Sequence, residues 1–108
     1  MTQFDNREKA FEAKFARDQE LTFKVMARRN KLLGLWAAEK MGMSPSDGQA
    51  YAIEVVKADF EEAGDEDVYR KVKGDLDAKQ VDVSEHQVRR EMEGQLVEAK
   101  RQVMEEGE

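Results

Sequence analysis

The chain has 108 residues, of which 39% are charged and 40% are hydrophobic, and its formal net charge is −6. This length suits one small domain with one modest core. One proline and long charged stretches favour an all-α fold over a β-sandwich or barrel. The absence of cysteine excludes a disulfide framework and a cysteine-bound metal. No stretch resembles a membrane span or a secretory signal, so we expect a soluble, cytoplasmic protein.

The first nineteen residues predict an amphipathic N-terminal arm. Phe4, Phe11 and Phe15 fall within one narrow arc of a helical wheel, and the residues around them are charged, polar or alanine. Such a helix is marginal in isolation and gains order from packing or from a partner. Two interpretations stay open. The arm extends the next helix and packs within the molecule, or it is mobile and its phenylalanines insert into a groove on another protein.

Start and stop signals predict a four-helix bundle over residues 20–108. Gly42 ends the first helix, Ser44 caps the second, and Gly64 ends that one. Ser84, with Gln87 three residues later, marks the start of the last. The predicted helices are 20–41, 45–63, 66–78 and 84–106.

Each bundle helix carries an apolar stripe at helical spacing, which predicts a core. The stripe of the second helix runs through Ile53, Val56 and Phe60. Helix 20–41 has a second uncharged face that contains Gly34, so we expect this helix to be central and closely approached by a neighbour. The residues that we expect to be buried are Leu32, Trp36, Val56, Phe60, Val72, Leu96 and Val103.

Charge is distributed unevenly along the chain. Residues 21–43 carry five basic side chains and one acidic side chain, whereas the rest of the chain is acidic overall. An acidic protein is a poor candidate for binding nucleic acid, because phosphates require a basic face. The basic residues Lys24, Arg28, Arg29 and Lys31 either offset the acidic helices of the same domain or meet an acidic partner or a phosphate.

Catalytic and metal-binding patterns are not found. The one histidine, His86, lies in the first turn of the last helix without a second ligand at a suitable spacing, and the glycines are isolated. An enzyme is therefore not predicted. Arg29 shares an arc with Val25 and Trp36, so its guanidinium requires an anion. That anion is either an acid of the second or fourth bundle helix or a bound phosphate, with Arg28 close by and Trp36 able to stack on a base.

Two segments closely resemble the zeta-subunit inhibitors of alphaproteobacterial F-type ATP synthases. They are residues 7–18, REKAFEAKFARD, and residues 27–38, ARRNKLLGLWAA, with Phe23 and Lys24 between them. The resemblance implies a four-helix domain and a regulatory protein that blocks ATP hydrolysis when the synthase would run backwards. It implies that the arm inserts at a catalytic interface among the α, β and γ subunits of the synthase head. The partner-binding residues carried over onto this sequence are Phe4, Arg7, Glu8, Phe11, Lys14, Phe15 and Asp18.

The same resemblance implies weak binding of ADP or ATP without any required cofactor. We place this site at Arg28, Arg29, Asn30 and Trp36, although the sequence contains no nucleotide motif of its own. We expect a monomer when the protein is free, peripheral association with the inner membrane when it is bound to the synthase, and no insertion into the bilayer. The alternative is a free-standing helical module that binds adenine nucleotides or another protein.

Overall fold

The computed structural model describes residues 3–59 and 65–106, and the side chains of residues 6–59 and 65–106. Predictions for the side chains of Phe4 and Phe60, and for Gly64, lie outside the described residues. The described residues form five helices and no strand, which confirms the all-α prediction. The helices are α1 (Gln3–Arg17), α2 (Gln19–Lys40), α3 (Pro45–Ala58), α4 (Asp65–Ala78) and α5 (Glu85–Glu106).

The predicted helix boundaries are confirmed where a local cap defines them. Gly42 adopts the left-handed conformation after α2, with φ of 75°. Ser44 Oγ accepts a hydrogen bond of 3.2 Å from the backbone N–H of Asp47 at the start of α3. Ser84 and Gln87 form a reciprocal capping box, with hydrogen bonds of 2.8 and 3.1 Å. The predicted end of α3 at residue 63 is wrong, because the helix ends at Ala58.

The end of α4 is a turn that the sequence did not predict. Gln80 has a positive φ of 61°, an uncommon conformation for a residue with a side chain. The backbone N–H of Val81 donates to the carbonyl of Leu76 at 2.9 Å, which closes the last turn of the helix. This turn directs Val81 onto the core, where it is partly buried.

Helix α2 lies at the centre of the molecule and packs against the four other helices. It approaches α3 closely at Gly34, which is buried. A Cβ atom at this position would lie only 2.7 Å from Cα of Ala52. Both expectations for this helix, a central position and a close neighbour at Gly34, are therefore confirmed.

The core has two parts. The main core fills the space between α2, α3, α4 and α5 and includes Leu33, Ala37, Val55, Leu76 and Met92. A second cluster lies nearer to α1. It consists of Val25, Ala99 and Val103, surrounded by partly buried side chains from α1, α2 and α5. We call this second group, Val25, Ala99 and Val103, the docking cluster because α1 rests on it.

The predicted buried faces need correction on α2, α3 and α5. Val72 and Val103 are buried as expected, but Leu32, Trp36, Val56 and Leu96 are only partly buried. On α2 the core takes Leu33 and Ala37 instead. On α3 Ile53 is 56% exposed, whereas Tyr51, Ala52 and Val55 are buried. The reason is that α3 approaches α2 at Gly34 with the small residue Ala52 at the contact, and this orientation turns Ile53 towards solvent.

Candidate functional site

Helix α1 is a separate helix and not an extension of α2. Asp18, the residue between them, has an extended backbone, and its carboxylate accepts a hydrogen bond of 3.1 Å from the backbone N–H of Leu21. It is therefore the N-cap of α2. The prediction that the arm extends the first bundle helix is wrong on this point, although the arm does pack within the molecule. Its mobility stays a prediction.

The aromatic face of α1 contacts the docking cluster. Phe11 and Phe15 are both partly buried there. The hydroxyl of Thr22 donates to the backbone carbonyl of Phe15 at 2.7 Å, which holds the end of α1 against α2. The two predicted anchor residues of the described arm are therefore already in use within the molecule.

Lys100 of α5 makes a second kind of contact with α1. Its ammonium group lies 3.1 Å from a carboxylate oxygen of Glu12 and 4.5 Å from the centre of the Phe15 ring. Both interactions depend on the positive charge of one side chain. Sequence reasoning missed Lys100, and no local signal could have found it, because 88 positions separate it from Glu12.

Two clefts flank Phe11. The larger, of about 520 Å³, lies between α1 and α5, and its apolar lining includes Val97, which is 69% exposed, and Met104. The smaller, of about 260 Å³, lies on the side of Lys14 and Lys24. Helix α1 therefore rests on α2 and α5 through Phe11 and Phe15 and leaves open space on either side of Phe11.

The other predicted partner-binding residues are spread around α1. Glu8 and Lys14 are exposed, and Arg7 is half-buried. Asp18 is half-buried, and its carboxylate serves as the cap of α2. The described arm thus presents a charged outer surface, while Phe11 and Phe15 face the docking cluster on α2 and α5.

Arg28 binds the last helix. Its guanidinium donates to Gln102 at 2.7 Å and to both carboxylate oxygens of Glu106 at 2.6 and 2.9 Å. The hydrogen bonds between Arg28 and Glu106 raise the pKa of Arg28 and lower the pKa of Glu106 from its usual value. The positive charge of Arg28 thus offsets an acidic residue of the same domain, which is one of the two interpretations of the basic segment.

Arg29 has the internal ion pair that its position on an apolar arc requires. Arg29 is only 1% exposed. Its Nε donates to Oδ1 of Asn30 at 2.7 Å, and its Nη2 donates to Asp65 at 2.8 Å. Asn30 in turn donates to Asp59 at 3.1 Å. The predicted helices for the acidic partner were wrong, because Asp65 begins α4, the third helix of the bundle. The network joins α2 to the end of α3 and the start of α4.

Trp36 lies two turns further along α2, in a surface groove of about 380 Å³ that Lys40, Val83 and Arg90 also line. The structure therefore brings Arg29 and Asn30 into direct contact, while Arg28 faces α5 and Trp36 lies in its own groove.

Within the described ranges, no group of three or more acidic or histidine side chains is arranged to hold a metal ion. None of the helices described there combines the length and the apolar character needed to cross a membrane.

Comparisons with known proteins cover both α1 and the bundle. A family model described as ATPase inhibitor subunit zeta matches residues 1–102. A protein with a known solution NMR structure is 58% identical to this chain, with a TM-score of 0.72, and the similarity covers 80% of this chain and 98% of that one. The comparison with curated proteins finds no match.

Proposed function

The chain belongs to the ATPase inhibitor subunit zeta family, whose members are regulatory and not catalytic, and we propose that it inhibits ATP hydrolysis by the F-type ATP synthase. In this proposal α1 leaves the bundle and inserts at a catalytic interface of the synthase head, among the α, β and γ subunits. The bundle of α2–α5 stays outside, peripheral to the membrane, and obstructs rotation as an attached plug.

The observation that carries this proposal is the construction of α1. It is a helix of its own, joined to the bundle through one residue, Asp18, whose cap belongs to α2. Its two described aromatic side chains, Phe11 and Phe15, are only partly buried where they rest. Helix α1 can therefore leave the bundle without breaking any backbone hydrogen bond inside α2.

The charged surface of α1 supports the same function. Glu8, Lys9, Lys14 and Arg17 are exposed and keep the free helix soluble. At a subunit interface the gain would come from complete burial of the aromatic rings, about 1.5–3 kcal/mol for each fully buried side chain. Exposed charges contribute less, because water and salt screen them. We therefore expect the phenylalanines to be the anchors.

The test is a titration into isolated synthase heads while ATP hydrolysis is followed. The full chain should inhibit, and a chain that lacks residues 1–17 should not. This truncation retains Asp18 and therefore the cap of α2. Recovery of the α, β and γ subunits with the tagged full chain would identify the partners.

Single variants refine this test. Phe11→Ala or Phe15→Ala should raise the half-inhibitory concentration about tenfold or more, which corresponds to an anchor of at least about 1.4 kcal/mol. Ile53→Ala removes an exposed large apolar side chain from α3 and serves as the control, with a change of about twofold or less. Full inhibition by the truncated chain would move the activity into α2–α5 and refute the proposal.

We also propose weak binding of an adenine nucleotide, and the groove beside Trp36 supports it. This half-buried indole can stack on a base, and Lys40 and Arg90, which line the same groove, have no ion-pair partner among the described residues. At Arg28 and Arg29, phosphates would have to compete with carboxylates for the guanidinium groups. The groove also contains one carboxylate, that of Glu91, which accepts a hydrogen bond of 2.7 Å from Gln95. The cations of the groove are therefore more available to a nucleotide than Arg28 and Arg29.

Fluorescence offers a direct measurement, because Trp36 is the single tryptophan of the chain. A titration with ADP should change its emission with saturation, and Arg90→Gln should weaken the binding. Arg28→Gln is the comparison variant, since it removes a predicted phosphate contact outside this groove. An unchanged emission at millimolar ADP would rule out the groove, and a loss of affinity only in Arg28→Gln would place the phosphates on α2.

A further inference from the structure

We propose that α1 in its docked position is withheld from the synthase and that Lys100 is the latch that holds it there; this regulation rests on the proposed function. The reason is a competition for the same side chains. Phe11 and Phe15 are the described aromatic residues with which α1 would anchor to a partner, and they are the ones that lie on the docking cluster. One ring face cannot be buried against the bundle and against a subunit interface at the same time.

Lys100 is suited to be a latch because it binds α1 twice from another helix. Its ammonium group contacts the carboxylate of Glu12 and the face of the Phe15 ring. The Lys100 side chain is 24% exposed, so both attractions are less screened than those of a fully exposed lysine. The neighbouring Arg101 differs in this respect, because its guanidinium pairs with Glu98 and Glu105 of its own helix.

The packing around α1 makes the docking reversible. The two clefts on either side of Phe11 mean that α1 is supported along only part of its length. Release leaves the N-cap of α2 intact, because the cap is the hydrogen bond from the Leu21 N–H to the Asp18 carboxylate. The bond of Asp18 to α1 uses a different group, its backbone N–H, which donates to the carbonyl of Lys14 at 2.8 Å. The hydroxyl of Thr22 would lose the carbonyl of Phe15 but keep its hydrogen bond of 3.0 Å to the carbonyl of Asp18.

The effect on inhibition follows from the populations of the docked and released arm. If only released molecules bind the synthase, the apparent affinity is the intrinsic affinity multiplied by the released fraction. Removal of one ion pair and one cation–π contact raises that fraction about three- to tenfold. Loss of the latch should therefore make the protein a stronger inhibitor, which is the opposite of what loss of an anchor does.

The first test compares three variants of the full chain. Lys100→Glu places two carboxylates together and should lower the half-inhibitory concentration about three- to tenfold. Arg101→Glu introduces the same change of charge at the next residue, which lines the larger cleft but forms its ion pairs with Glu98 and Glu105 of α5. This variant should leave the half-inhibitory concentration within about twofold. NMR spectra of the free protein should show that the Phe15 ring leaves the docking cluster in Lys100→Glu and returns when Glu12→Lys is added. Equal inhibition and an unmoved ring in Lys100→Glu would overturn the latch.

The second test locks the arm. Since the natural chain has no cysteine, Lys9→Cys and Arg101→Cys introduce two thiols on opposite sides of the larger cleft, and a cleavable bis-maleimide can join them. The linked protein should lose inhibition and regain it when the linker is reduced. Full inhibition by the linked protein would show that docked α1 is not withheld from the synthase and would overturn the proposal. Absence of inhibition in the linked, the reduced and the unmodified protein would refute the proposed function itself, and the NMR comparison would still decide whether Lys100 holds α1.

Discussion

Gly34→Ala probes the close contact between α2 and α3. The new Cβ atom would lie 2.7 Å from Cα of Ala52, 3.1 Å from Cγ2 of Val55 and 3.2 Å from Cβ of Ala52. The shortest of these distances involves backbone, which cannot rotate away. Helices α2 and α3 would have to separate by about 0.7 Å to bring it to an ordinary contact of 3.4 Å.

Two opposing effects determine how much Gly34→Ala changes the free energy of unfolding. Overpacking a dense core costs about 1–3 kcal/mol, and a shift of α3 carries Tyr51 and Val55 away from their neighbours in the main core. Alanine in place of glycine favours the helix by about 1 kcal/mol. Because the clash involves backbone, we expect the first effect to be near its upper end. The net loss should be about 1–2 kcal/mol, or roughly 5–10 °C in Tm.

Guanidinium denaturation followed by far-UV circular dichroism measures this loss. Gly74→Ala and Gly94→Ala are the matched controls, because these glycines are also helical and have no other atom near the new Cβ position. Each control should raise the free energy of unfolding by about 0.5–1 kcal/mol through helix propensity alone. A gain of similar size in Gly34→Ala would refute the close packing of α2 on α3.

Three further predictions concern stability. Leu76→Ala should lower the free energy of unfolding by about 2–5 kcal/mol, because Leu76 is completely buried in the main core; thermal and chemical melting would measure it. Gln80→Gly should raise the free energy of unfolding by about 1 kcal/mol, since it relieves a positive φ, and an unchanged denaturation midpoint would contradict this. A hydrogen bond from Arg101 lowers the pKa of Glu98 from 4.5 to about 2. The stabilisation by this pair is therefore present above pH 4.5 and lost as the pH falls towards about 2, so Glu98→Gln should flatten the dependence of stability on pH in that range.

The sequence predicted the helix boundaries well wherever a cap defines them. The hydrogen bonds at Ser44 and Ser84 connect residues three positions apart, and the turn at Gly42 depends on its own backbone. Such contacts join residues within about one helical turn, so the local sequence is enough to predict where the helix begins or ends. Asp18 offered the same kind of signal, an N-cap residue three positions before Leu21, and sequence analysis assigned it to the partner instead.

The buried faces were harder to predict, because hydrophobicity alone does not say which apolar side a neighbour will cover. Helix α2 has apolar residues on more than one side, and the core selected Leu33 and Ala37 in preference to Leu32 and Trp36. On α3 the small residue Ala52 is buried while Ile53 is exposed. The approach of α3 to α2 at Gly34 decided both results. A helical wheel describes one helix alone and cannot show where a neighbouring helix packs.

For the candidate site, the sequence determined the chemical character of its parts. It determined the amphipathic arm with aligned phenylalanines, the basic segment in α2, and the need of Arg29 for an anion. Only the tertiary structure decided what these parts contact: Asp65 beside Arg29, Glu106 beside Arg28, and Lys100 over the ring of Phe15. The physical reason is the separation along the sequence of the residues that interact. Helix formation and capping depend on neighbours within a few residues, whereas the ion pairs of Arg29, Arg28 and Lys100 join positions 36 to 88 residues apart, which only packing brings together.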